Sequence, residues 1–157
     1  MQQQCQRCKE QPGFHSFDFL TDISGIHYFY CFPAHNKESV RTREDMLNFV
    51  SHFPSEEKWS LVFHAKGYGI QHMMPLSIAL EMGRLVQEKY LGSLQKIYIV
   101  QGHWFMEFVL TCILPFLRKE MKEKFIVVNG SLLEILHEFE KKGLTLQHLK
   151  LLRNRFK

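Results

Sequence analysis

What this chain lacks excludes several kinds of protein. It has no Gly-x-Ser-x-Gly elbow, no phosphate loop ending in Gly-Lys-Ser/Thr, and no Gly-x-Gly-x-x-Gly after a strand-like run. A serine hydrolase, a P-loop nucleotide hydrolase and a dinucleotide-binding enzyme each need one of these. Lys66-Gly-Tyr-Gly69 is too short to serve as a dinucleotide fingerprint. No carboxylate pair falls at the ends of strand-like runs, and no nucleophile, base and oxyanion donor assemble, so the chain reads as no enzyme. Its longest apolar run, Trp104–Leu117, falls short of the ~20 residues of a membrane-spanning helix. The opening, Met1-Gln-Gln-Gln-Cys-Gln-Arg7, lacks the apolar core of a secretory signal. Internal repeats and low-complexity tracts are missing too. Charge is sparse, at 23% of residues with a net +4 concentrated near the C-terminus. That balance is too mild to point to nucleic acid.

Cysteine is scarce as well. Cys31 and Cys112 lie in apolar strand or helix contexts and read as reduced core residues. Cys5-x-x-Cys8 has the spacing of half a zinc site, but no second ligand pair follows at a fitting distance, and a redox pair should follow a strand. Residues 1–13 therefore read as a flexible N-terminal tail carrying two thiols, with no metal and no cofactor expected. With no secretory signal, these thiols imply a reducing, cytoplasmic setting.

What is present is apolar and aromatic. Of 157 residues 45% are hydrophobic, and Phe (14) and Met (7) are abundant, enough for one domain over 14–157 with a sizeable core. The pattern predicts an edge strand over 14–20, a turn at Asp22-Ile-Ser-Gly25 and a strand over 27–32 stopped by Pro33. Thr42-x-x-Asp45 starts a helix with Met46, Leu47, Phe49, Val50 and Phe53 at helical intervals. A strand over 59–64 precedes an amphipathic helix over 75–90, with Pro75 at its first position. Ser131-x-x-Glu134 is a capping box opening another helix, which Gly143 closes. Residues 144–157 combine a Leu/Phe stripe with Lys150, Arg153, Arg155 and Lys157, suiting either a final helix packed on the sheet or an anionic membrane surface. Strands alternating with helices indicate an α/β fold with a mixed, mainly parallel sheet flanked by helices.

The stretch from Leu94 to Asn129 organises the rest. It reads strand, turn, apolar helix, turn, strand, and the β-branched runs Ile97–Val100 and Phe125–Val128 suit central parallel strands joined by a right-handed crossover. The helix has Glu107 as its only charge before Arg118, so it is deeply buried or lines something apolar. Pro115 breaks or kinks it. Two outcomes stay open: a simple helix end, or a separate segment 116–123 over an apolar cavity. His64 and His103 fall at C-terminal strand ends, where α/β folds place their sites; each is either structural or a polar group in a pocket.

These residues also carry a resemblance. Tyr90-Leu-Gly-Ser-Leu-Gln-Lys-Ile-Tyr-Ile-Val100, His103-Trp-Phe105, Leu114-Pro-Phe-Leu117 and Lys124-Phe-Ile-Val-Val128 are similar to the core signature of the CRAL-TRIO lipid-binding domain. Cys31-Phe-Pro-Ala-His-Asn36, Arg43-Glu-Asp-Met-Leu47, Phe53-Pro-Ser-Glu-Glu57, Val128-Asn-Gly-Ser-Leu-Leu133 and Gly143-Leu-Thr145 resemble the divergent version in Dbl-type Rho guanine-nucleotide exchange factors such as Trio and kalirin. The resemblance covers about residues 20–148.

It implies a CRAL-TRIO-like fold without the N-terminal helical subdomain, an apolar pocket gated by helices, and binding of a phospholipid or other hydrophobic small molecule without catalysis. The lipid-binding residues it implies are Trp104, Phe105, Phe108, Val109, Cys112 and Phe116 as lining, with Lys124 meeting an anionic headgroup. Two phosphoinositide partners of the family are replaced here, by Gly92 and Met121, and the strand-end Asp falls at His64. Those departures weigh against selective phosphoinositide exchange and suit membrane targeting, peripheral membrane contact or regulation of Rho-type signalling. A Rho-family GTPase or an adjoining exchange-factor domain is then the alternative partner, with no lipid cargo.

Overall fold

The structure, a computed structural model, describes residues 5–36, 38–141 and 143. The basic stretch 144–157 lies outside the described residues. Five strands form one sheet in the order of the chain: β1 (Asp18–Ile23), β2 (Ile26–Cys31), β3 (Trp59–His64), β4 (Leu94–Val100) and β5 (Phe125–Val128). β1 pairs antiparallel with β2, and β2 to β5 run parallel. The β1–β2 turn is centred on Ser24 and Gly25, whose φ values of 54° and 80° suit a two-residue hairpin loop. Asp22 Oδ1 accepts the Gly25 N–H at 3.2 Å and braces it. β1 starts later than the 14–20 strand expected from sequence. Phe14 and Phe17 are instead buried ahead of it, Phe17 stacking on Phe29 at 4.9 Å between ring centres.

Helices connect the parallel strands: α2 (Arg43–Val50) between β2 and β3, α3 (Leu76–Tyr90) between β3 and β4, and α4 (Trp104–Ile113) with α5 (Lys119–Lys122) between β4 and β5. Each crossover moves one strand in the same direction along the sheet. With right-handed crossovers, the three connections must therefore cover the same face. The core obeys this. Met46, Phe49, Val86, Met106 and Met121 pack with Phe29, Leu61, Ile97 and Ile99 in one cluster. The alternate strand residues Tyr28, Tyr30, Val62, Tyr98, Val100 and Val128 form a second cluster with Ile135 and Phe139 of α6 (Leu132–Lys141) on the opposite face.

Local chemistry sets the helix starts. Thr42 caps α2 by accepting the Asp45 N–H at 3.1 Å. Ser131 and Glu134 exchange reciprocal bonds at 2.6 and 3.3 Å, the capping box seen in the sequence. Pro75 stands at the N-cap of α3, one position before the first helical residue. At the C-terminal end of β3 His64 is fully buried, on the α6 side of the sheet. Its Nδ1 lies 2.6 Å from the Tyr30 hydroxyl, its Nε2 bonds Gln101 Oε1, and its ring stacks on Phe32 at 4.3 Å. Gln101 is held in the left-handed region, with φ 51°.

The part of the expected tail that is described carries a short helix, α1 (Gln6–Glu10), with Cys5 and Cys8 buried against Phe14.

Two outcomes follow. Phe139 is 1% exposed with its ring edge on Tyr98 at 5.3 Å, so Phe139→Ala should cost about 3–5 kcal/mol in urea denaturation. Burial, with Lys66 and His35 adding to it and the Gln101 bond opposing, holds the His64 pKa below its ordinary 6.5. Below about pH 6.5 the unfolded chain then takes up the proton first, so stability conferred by neutral His64 is present above that pH and lost as the pH falls. Wild type should lose more stability than His64→Gln between about pH 7.5 and 5.5; equal losses would show that His64 does not contribute.

Candidate functional site

The site grows out of the crossover from β4 to β5. His103 caps α4, its Nδ1 accepting the Phe105 N–H at 3.3 Å. The α-helix ends at Ile113, and residues Leu114–Phe116 form a single tighter 3-10 turn around Pro115. Proline has no N–H to give to the preceding helical turn, which is why the helix stops there. The chain then folds back: Leu117 and Met121 are buried, and the Arg118 N–H donates to Oε1 of Gln87, itself a buried polar residue of α3. Met121 thereby belongs to the wall of the site.

Between α3, α4 and the sheet lies a cavity of about 180 Å³. Its floor is Leu61, Phe63, Ile97, Ile99 and Phe125 on the sheet. Its walls are Phe49 and Phe53 by α2, Met82, Gly83 and Val86 of α3, and Met73 and Met74 of the loop before it. Its roof is Met106, Val109, Leu110 and Ile113 of α4, followed by Leu117 and Met121. The roof residues recur at helical spacing, so they are one face of α4. The lining is apolar throughout apart from the ring heteroatoms of Trp59 and Tyr68.

The opposite face of α4 mixes exposed aromatic rings with the exposed polar residues Glu107 and Thr111, and Phe116 in the turn after it adds a further exposed ring. Trp104 is 75% exposed, Phe108 55% and Phe116 60%. Of the seven residues named from the sequence, Val109 lines the cavity, while Trp104, Phe108 and Phe116 are exposed. Phe105 is partly buried against the core and Cys112 half-buried. Lys124 lies at the other end of the sheet from His103, where its Nζ donates to the Leu94 carbonyl at 2.6 Å. It is flanked by the cavity residues Leu94 and Phe125. Burial, with Lys96 adding to it, lowers the Lys124 pKa.

Sequence reasoning missed the roof residues Met106, Leu110 and Ile113. Their spacing was available, and Glu107 and Thr111 mark the outside of the helix, but Trp104 and Phe108 on that same side offer a competing apolar stripe. It also missed Gln87, whose role depends on a backbone N–H thirty-one positions away. His64 faces the side of the sheet away from the cavity, and His103 serves as a helix cap. Among the described residues no helix is long and apolar enough to cross a membrane.

Residues 19–145 match the family described as CRAL/TRIO domain. Among similar solved structures is the crystal structure of Sfh5, with a TM-score of 0.53 at 15% identity, covering 76% of this chain and 48% of that one. The chain thus spans about half the length of that protein, and at this identity the likeness is one of fold. Comparison with curated proteins finds no match. With most of its length matched, and an α/β sheet flanked by helices over an apolar cavity, the chain belongs to the CRAL/TRIO domain family, which implies a lipid or other hydrophobic ligand.

Proposed function

We propose that this chain is a non-catalytic lipid-binding module that shelters a hydrocarbon chain beneath α4 and meets membranes peripherally, on their cytoplasmic side, through the outer face of the same helix. The observation that carries this reading is an almost wholly apolar cavity roofed by a helix whose outer side exposes the rings of Trp104 and Phe108 beside Glu107 and Thr111. Val109 and its neighbours on the inner face meet the cargo. Trp104 and Phe108 on the outer face, with Phe116 in the turn that follows the helix, enter the interfacial layer, where an amphipathic ring such as that of Trp is favoured. Phe105 and Cys112 lie between the two faces.

Size sets the cargo. A cavity of about 180 Å³ is close to an engineered cavity of ~150 Å³ that takes benzene and stays dry, and smaller than the ~300–1,000 Å³ of ordinary ligand pockets. It takes a single short hydrocarbon chain as it stands. A diacyl phospholipid requires the roof to move, and the break at Pro115 with the Gln87–Arg118 tie is where it gives. Lys124 then meets the headgroup, a charge-assisted contact worth about 1.5–3 kcal/mol. The apolar Met121 and the absent side chain of Gly92 favour a simple anionic headgroup over a phosphoinositide.

A second reading, a module for a Rho-family GTPase or an adjoining exchange-factor domain, is favoured by the small cavity and by the exposed aromatic stripe.

Native mass spectrometry of the purified chain should show a co-purifying lipid, and Val109→Trp should abolish it with the fold intact. Empty protein from several hosts, with no uptake from vesicles, would count heavily against cargo. Removing both rings in W104A/F108A should lower binding to phosphatidylserine vesicles by more than tenfold, since each buried ring is worth about 1.5–3 kcal/mol, and should leave cargo in place. Gln87→Ala should speed lipid exchange. Retained capture of a Rho-family GTPase by an empty, vesicle-inert protein would select the second reading.

A further inference from the structure

Four side chains outside the cavity converge on one buried point. Cys5 and Cys8 flank the first turn of α1, His15 lies in the loop that follows, and His52 stands just past the end of α2. All four are at most 6% exposed. Their Sγ and ring-nitrogen atoms all lie within 4.8 Å of one another. Cys5 Sγ is 3.5 Å and Cys8 Sγ 3.6 Å from His15 Nδ1, and His15 Nδ1 is 3.2 Å from His52 Nε2.

We propose that Cys5, Cys8, His15 and His52 are a structural zinc site. The distances carry it. Around a tetrahedral Zn²⁺ with Zn–S of about 2.3 Å and Zn–N of about 2.0–2.1 Å, a sulfur and a nitrogen stand about 3.6 Å apart and two nitrogens about 3.3 Å. The two sulfur–nitrogen separations to His15 and the His15–His52 separation match these edges to within about 0.1 Å. Two thiolates and two neutral imidazoles also cancel the charge of a divalent cation, as burial at this depth demands. The sulfurs are already supported by backbone: the Cys8 N–H donates to Cys5 Sγ and the His15 N–H to Cys8 Sγ, both at 3.4 Å. Such outer contacts orient ligands and steady thiolate charge.

Four protein ligands close the coordination sphere, so the site is structural rather than catalytic. It staples the first described residues of the chain to the end of α2. His52 sits beside Phe53 and three positions after Phe49, two residues of the cavity wall, so the metal steadies one side of the cavity. The inference does not depend on what that cavity holds.

The test uses the full chain, purified under reducing conditions. Elemental analysis should give one zinc per chain, and Co²⁺ exchanged into it should produce the intense visible bands of a tetrahedral ion with thiolate-to-metal charge transfer. Cys8→Ser and His52→Ala should each weaken zinc retention against a chelating dye by at least tenfold, while Cys31→Ser, at a thiol outside the cluster, should not. Should the ligand variants fail to fold, the cobalt spectrum of the wild type still decides. Protein that carries no zinc and gives only the pale spectrum of octahedral cobalt overturns the proposal, whether its thiols are free or joined to each other.

Discussion

Strand order is the constraint on which the rest depends. Because β2 to β5 lie side by side in chain order and run parallel, the crossovers between them have one face available. Three helical connections share that face, and among the described residues α6 covers the other. The crowded face becomes a thick apolar layer. Its helices end in different residues along the sheet, and the space between α3, α4 and the strands is left open as a cavity.

Pro115 shapes that space. Without it, α4 could continue over the sheet; with it, the helix ends at Ile113 and the chain turns back to bury Leu117 and Met121 at the end of the roof. The segment is held by the burial of Leu117 and Met121 in the core and by the hydrogen bond from the Arg118 N–H to Gln87. A hydrogen bond of this kind contributes about 0.5–1.5 kcal/mol and each buried apolar side chain about 1.5–3 kcal/mol, so cargo that displaces this end of the roof must replace those apolar contacts. At the other end, His103 fixes the start of α4 by capping it.

Much of this was legible in the sequence. The β-branched runs pointed to β4 and β5, the buried-type run over 59–64 to β3, the Thr42 and Ser131 signals to two helix starts and Pro115 to the break, because each depends on neighbours in the chain. The strand at 14–20 failed for a physical reason: Phe14 and Phe17 are buried by packing under β2 and around Cys5 and Cys8, with no strand needed. Facing was hard to read in α4, since the outer side that carries Glu107 and Thr111 also carries the rings of Trp104 and Phe108, which blur the periodicity. The cluster at Cys5, Cys8, His15 and His52 was hidden by distance. Its last ligand lies thirty-seven positions after His15, and only the packing of the His15 loop against the end of α2 brings them together.

The central claim is that hydrocarbon occupies the space under α4. It is tested most directly by nuclear magnetic resonance on methyl-labelled protein with a bound medium-chain fatty acid. Contacts between the acyl chain and the methyl groups of Val109, Ile113 and Met82 are the predicted result. Contacts confined to the exposed faces of the protein, or none at all, would contradict the account.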